Sequence, residues 1–446
     1  MAELKPANEN PWYVLSTLHG EYVDGHDEEL AAKNIRLWNI WSCQNLSDEE
    51  REVLRAKGAD VPDAVAWKQH REEIEMLYAA EMKSRNETGF VPPDMPKPDT
   101  NIDMSHTVFS YLVAWKKAVF TQLALFTSAT FTQRAEFDSA TFTQSANFTY
   151  ATFKEEANFS STTFTQRADF NSVTFPESAF FDYATFTQEA SFDRATFRQV
   201  AGFSFATFNK IARFVGARFG NPESPNEICQ AVFDDAVFAK STNFRGAIFR
   251  DRYPRFAGTV FHEKTQITAD KAHWPSIVQP DPGAAKEACA TLRHIAAKQS
   301  LPEDEYFFFR REMGFAGRTG PWLARPVYWL YGLISDYGYS VGRPLIGLFF
   351  LWMLGFVLFQ GCLTSDMFCV FEEPKNRLLS SQDALGFSGS NIFKFFGFQR
   401  TYFLDELELV ERNRPGLQTL AAFQTVFGYI LLFFLGLGLR ARFRLR

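Results

Sequence analysis

The residues in this chain best placed for chemistry sit in and beside two long apolar stretches, and they are uncharged. Ser388, Ser390 and Asn391 interrupt the segment Ala384-Leu-Gly-Phe-Ser-Gly-Ser-Asn-Ile-Phe-Lys-Phe-Phe-Gly-Phe398. Gln424 and Thr425 interrupt the second apolar stretch, with Gly428 following where a helix could bend. Hydroxyls and amides at membrane depth can replace part of an ion's hydration and wet a pore. Asp405, Glu406, Glu408 and Glu411 would form an acidic outer mouth that concentrates cations, with Lys394 acting against them. Cys362 and Cys369 are seven apart, and on a loop outside the cytosol they are expected to pair as a disulfide.

Other chemistries find no residues here. There is no glycine-rich phosphate loop, nucleophile elbow or cluster of His, Cys and carboxylates, so no enzyme activity, cofactor or metal is expected. His19 and His26 are isolated, and Cys43, Cys229 and Cys289 read as reduced thiols. A net charge of −6 without a basic arm gives no reason to expect nucleic acid as a partner.

The elements that must position these groups are membrane spans. Residues 344–363 contain no charge, and 417–439 form a second stretch of spanning length. Arg310, Arg311, Arg318, Arg325 and Arg343 precede the first span, and Arg440, Arg442, Arg444 and Arg446 end the second. Positive residues stay inside, so both termini are expected in the cytoplasm. Residues 1–11 have no apolar core, so no secretory signal is expected and the region ahead of the spans should stay cytosolic. Trp322, Trp329 and Tyr331 suit an interfacial helix over 321–338. The segment 384–399 is too short to span and is expected to dip into the lipid and return. Two helices cannot enclose a pore, so conduction would require a homo-oligomer in membrane lipid.

Most of the remaining chain is a repeat. From Phe120 to Phe219, phenylalanine recurs at alternating gaps of six and five, in triplets such as Ala129-Thr130-Phe131 and Ala140-Thr141-Phe142. The unit is eleven residues. In an extended chain the Ala and Phe of a triplet face one way and the middle residue the other, whereas this spacing scatters over a helix. The pattern predicts very short strands, with Phe131, Phe142, Phe153, Phe164, Phe175, Phe186, Phe197 and Phe208 inside and corner residues such as Thr132 exposed. Two repeats would make a coil of about 22 residues whose rings stack at the strand spacing of about 4.8 Å.

The divisions expected are a helical N-terminal region (1–90), a Pro-rich linker (91–106), the solenoid (107–265), a helical connector (266–320) and the membrane domain (321–446). Helices are expected at 27–43 and 64–83, with a capping box at Ser47 to Glu50 between them. The tryptophans of the first region are expected to pack in the core of a cap. Gly220 to Gln230 breaks the repeat register as a surface loop.

The Ala-x-Phe triplets resemble the pentapeptide-repeat family, which implies a right-handed four-sided β-helix. One residue is added to every second unit relative to the plain family pattern. Span, short loop helix and span resemble the two-helix pore module of potassium-channel-like proteins. The Ser335-Asp336-Tyr337-Gly338 and Phe387-Ser388-Gly389-Ser390-Asn391 segments look like those of bacterial membrane proteins that join pentapeptide repeats to an ion-channel domain. The Thr-x-Gly-Tyr-Gly selectivity signature is absent. This resemblance implies a mixed fold of β-helix, helical cap and two-helix transmembrane domain with a re-entrant loop. It also implies a cation-favouring channel of a bacterial inner membrane, with an unidentified protein or ligand on the solenoid. The alternative is a membrane-anchored scaffold. Some pentapeptide-repeat proteins mimic duplex DNA, but the repeats here hold nearly equal acids and bases.

Overall fold

The computed structural model describes residues 4–86, 91–221, 228–276, 278–364, 381–404 and 415–443. They form two units, Met1–Glu312 and Met313–Arg446.

The first unit is a β-solenoid flanked by helices. Its strands are two or three residues long, as at Thr130–Phe131 and Ala135–Glu136. Each pairs in parallel with the strand one coil away, so that Phe131 lies opposite Phe153 and Ala146 opposite Ala168. Four parallel sheets result, of eight, seven, six and six strands. Inside, Phe131, Phe142, Phe153, Phe164, Phe175, Phe186, Phe197 and Phe208 are all buried, as are the triplet alanines. Rings one coil apart stack face to face, at 4.4 Å for Phe131–Phe153 and 5.0 Å for Phe164–Phe186. Rings of adjacent columns meet edge to face, as Phe148 and Phe159 do at 84°. Both arrangements suit the ring quadrupole.

The corners hold two devices that the repeat pattern leaves hidden. The second residue of each two-residue linker is left-handed, as at Ser128, Ser139, Tyr150, Ser161, Ser172, Tyr183, Arg194 and Phe205. Its N–H then donates to the next coil, as Ser139 N does to Ser160 O at 2.8 Å. In the three-residue linkers the hydroxyls of Thr132, Thr143 and Thr165 donate to a carbonyl of the preceding coil, as Thr132 Oγ1 does to Phe109 O at 2.8 Å. Thr132 is therefore half-buried and bonded, not the free exposed corner expected. Thr162 occupies an inward Ala position and satisfies its hydroxyl on Phe137 O at 2.7 Å. Glu136 and Thr141, middle residues expected to face solvent, are buried; His26 Nδ1 lies 3.2 Å from the Glu136 carboxylate.

Helices close both ends. α1 (Pro11–Leu15), α2 (Glu28–Ser42), α3 (Asp48–Ala56) and α4 (Ala66–Ser84) form the cap, with Asp27 capping α2 and the Ser47–Glu50 box opening α3. Trp38, fully buried, lies 5.3 Å from Phe120 and donates Nε1–H to Val119 O. Asn39 accepts from Val119 N and donates to Lys117 O, so the cap satisfies backbone groups at the first coil. The solenoid also begins earlier than the expected residue 107. Ile102–Asp103 pairs with Ala124–Leu125, and Lys5–Pro6 pairs with the strand Thr107–Phe109. At the far end Trp274 stacks on Phe249 at 5.1 Å, and Phe308 meets its edge. α5 (Pro282–Lys298) and α6 (Pro302–Thr319) follow.

The second unit holds α7 (Arg325–Ser335), α8 (Gly342–Thr364), α9 (Ser381–Ile392), α10 (Phe398–Tyr402) and α11 (Pro415–Phe443). α8 and α11 are long and apolar enough to cross a membrane, and only 28% and 11% of their most apolar windows is buried.

Candidate functional site

α9 is twelve residues long and packs against both α8 and α11. A helix surrounded by apolar partners must satisfy every polar side chain it carries. Here the partners come from all three helices. Gln424 of α11 donates Nε2–H to Leu351 O and to Ser388 Oγ, both at 2.9 Å, and its Oε1 accepts from Asn391 Nδ2 at 3.2 Å. Asn391 Oδ1 accepts from Gln399 Nε2. Ser388 Oγ donates to Trp352 O at 2.8 Å, and Trp352 Nε1–H to Leu385 O at 3.0 Å. Thr425 Oγ1 donates to Asn391 O at 3.1 Å. The network contains no ionisable group.

The structure thus brings together Ser388, Asn391, Gln424 and Thr425, four residues singled out from the sequence. Ser388, Ser390, Asn391 and Gln424 are each at most 4% exposed, and the polar atoms of Ser388, Asn391 and Gln424 meet one another within a single chain. Ser390 stands apart from the others and donates only to Phe387 O of its own helix. Uncharged bonds of this kind contribute about 1 kcal/mol each, and orphaning one partner costs about 1–3 kcal/mol. Gly428 serves close packing: a Cβ there would lie 3.2 Å from Ile392 Cα and 3.3 Å from Ile392 O. Asp405, Glu406, Glu408, Glu411 and Cys369 lie outside the described residues, as does the side chain of Cys362.

Sequence reading missed Gly355, Trp352 and Gln399. Gly355 is the clearest case, because a Cβ there would fall 1.7 Å from Gln424 Nε2 and 2.4 Å from Ser388 Oγ. A small residue inside an apolar span was its only signal. Among the described residues, no three His, Cys, Asp or Glu side chains are grouped to hold a metal.

Burial pushes the Cys43 and Cys289 thiols up to about 12. Arg311, almost fully buried, donates to Pro275 O and the Tyr253 hydroxyl and lies over the Phe307 ring.

Residues 116–163 and 148–196 match the family described as pentapeptide repeats (9 copies). No curated protein and no solved structure matches the chain. The solenoid is therefore built of pentapeptide repeats, here carrying phenylalanine at the inward centre of most units.

Proposed function

We propose that this is a membrane-held pentapeptide-repeat protein whose copies assemble into an ion channel, with the solenoid as a cytosolic module for sensing, assembly or partner binding. The observation that carries the reading is the arrangement of α8, α9 and α11. Two apolar helices of spanning length leave most of their surface uncovered, and between them an uncharged network fixes a helix of about 18 Å. That helix is too short for a hydrocarbon core of about 30 Å, which suits a re-entrant segment. The arginines flanking the spans favour cytoplasmic termini. The four parallel sheets favour a four-sided coil.

In this reading the network is a brace and not the pore wall. The wall of the oligomer is the uncovered face of α11, where Phe423, Val426 and Ile430 are exposed. Such a constriction would gate by dewetting. The carboxylates of Asp405, Glu406, Glu408 and Glu411 give the mouth its preference for cations. Counting chains in the protein extracted into lipid nanodiscs tests the assembly: several chains per particle are expected, and a monomer ends the channel reading.

A second reading, a membrane-anchored scaffold without conduction, is favoured by one observation: Gln424, Asn391 and Ser388 are satisfied inside a single chain. Under it, an unrelated anchor replacing residues 344–446 would preserve function, and a partner protein would bind the solenoid.

A further inference from the structure

Between α7 and α8 the backbone makes an elbow in a conformation that L-residues avoid. Asp336, Tyr337 and Gly338 are left-handed in succession, at φ 51°, 57° and 84°. Two of the three carry a Cβ, which this region penalises. Such a run persists only where its surroundings over-determine it, and Ser335 supplies much of that constraint. Fully buried, Ser335 accepts at its carbonyl from Gly338 N and Tyr339 N at 3.1 Å and from Ser340 N at 2.9 Å. Its hydroxyl donates to Tyr331 O at 2.9 Å and accepts from Gly338 N at 3.0 Å. Arg343 Nη1 donates to Gly332 O at 2.6 Å, which ties the start of α8 to the last turns of α7.

Two glycines let the elbow close. The rings of Tyr331 and Tyr337 cross at 87° with centroids 5.6 Å apart, and each lies against the glycine beside the other. A Cβ on Gly332 would stand 2.8 Å from Tyr337 Cζ, and one on Gly338 2.8 Å from Tyr331 Oη. The elbow in turn abuts α11. Tyr331 meets Phe434 at 5.5 Å, and a Cβ on Gly438 would stand 2.8 Å from Ser340 O. Gly347 against Leu431 and Gly355 against Gln424 continue the same antiparallel register along α8, so the elbow meets the end of α11 that carries Arg440 and Arg442.

We infer that the elbow is a rigid coupling that fixes α7 to the C-terminal end of α11. The two helices then turn as one body, and a pull on α7 reaches the helix proposed as the pore wall. The coupling stands on contacts within one chain; its use as a gating lever rests on the channel reading.

The test places spin labels on introduced noncanonical residues of the full chain in lipid nanodiscs, diluted with unlabelled copies so that each distance is read within one chain. One pair, Val327 and Val426, spans α7 to α11, and a second, Leu345 and Val426, spans α8 to α11; all three positions are exposed. Both pairs should give a single narrow distance in the parent. Gly332→Ala with Gly338→Ala should roughly double the width of the Val327–Val426 distribution, as a hinge replaces a fixed angle, and leave Leu345–Val426 unchanged. Gly436→Ala, with nothing within 4 Å, should change neither. A broad Val327–Val426 distribution in the parent, or an unchanged one in the double variant, overturns the coupling. If the double variant broadens both pairs, Tyr337→Ala decides, because it removes the ring from Gly332 without a collision. Broadening of the Val327 pair alone then supports the coupling, and a narrow distribution overturns it. A chain that stays monomeric yet keeps the narrow Val327–Val426 distance upholds the coupling and ends only the channel reading.

Discussion

Replacing Phe159 by Ala should cost the first unit about 3–5 kcal/mol, near the top of that range. The ring is fully buried and stacked between Phe137 at 4.6 Å and Phe181 at 5.0 Å. Phe148 and Phe170 meet it edge to face at 5.4 and 5.3 Å. Each aromatic pair adds about 0.5–1.5 kcal/mol beyond its burial. The hole cannot close, because the Phe159 N–H still donates to Phe180 O at 2.7 Å and the backbone ladder holds both neighbouring coils apart. Thr163→Ala is the control: this middle residue is only partly buried, and its backbone bond to Ala140 O survives, so a change within about 0.5 kcal/mol is expected. Denaturant and thermal unfolding of residues 1–312 would read both, with a Tm drop on the order of 10 °C for Phe159→Ala. Equal losses in the two variants would refute the inward and outward assignment.

Other consequences follow from the caps and the helical unit. Trp38→Ala removes the ring that covers Phe120 and the bond to Val119 O, and should destabilise residues 1–312 by about 3–5 kcal/mol; a Tm within one degree of the parent would contradict the sealing role. Gly355→Ala should push Gln424 off Leu351 O and lower the thermal stability of the detergent-solubilised chain by about 1–3 kcal/mol, whereas Gly436→Ala, with nothing within 4 Å, should not. Burial raises the Cys43 thiol from 9.0 to about 12, so between those values the folded state keeps a proton the unfolded state has lost; stability should fall as pH rises through that window, and Cys43→Ala should blunt the fall. Asn391→Lys should prevent assembly, because an ammonium there would sit in a site 1% exposed among uncharged partners; a stable variant would show that the site is wet.

Periodicity made the solenoid readable, because one rule, Ala and Phe two apart, specifies both strand and core. It failed where other residues obey the same geometry. Ile102 and Met104 fill the first coil without the triplet, and Lys5–Pro6 joins a sheet from a hundred residues away. The left-handed corners were hidden because Ser, Tyr, Arg and Phe occupy them where glycine would have announced the conformation. In the helical unit the sequence marked polar residues that the structure brings together, but not which way they face. Gln424 in an apolar helix could turn to a pore or to a neighbour, and that choice depended on Gly355, whose missing side chain leaves room for the amide.

Conduction is tested most directly by ion flux through the full-length oligomer reconstituted in liposomes, compared with the chain lacking residues 344–446 and stepped through voltage, osmotic tension and pH. The account predicts cation flux under at least one stimulus from the full chain alone. A correctly assembled, membrane-inserted oligomer that passes no ions under any of them would contradict it.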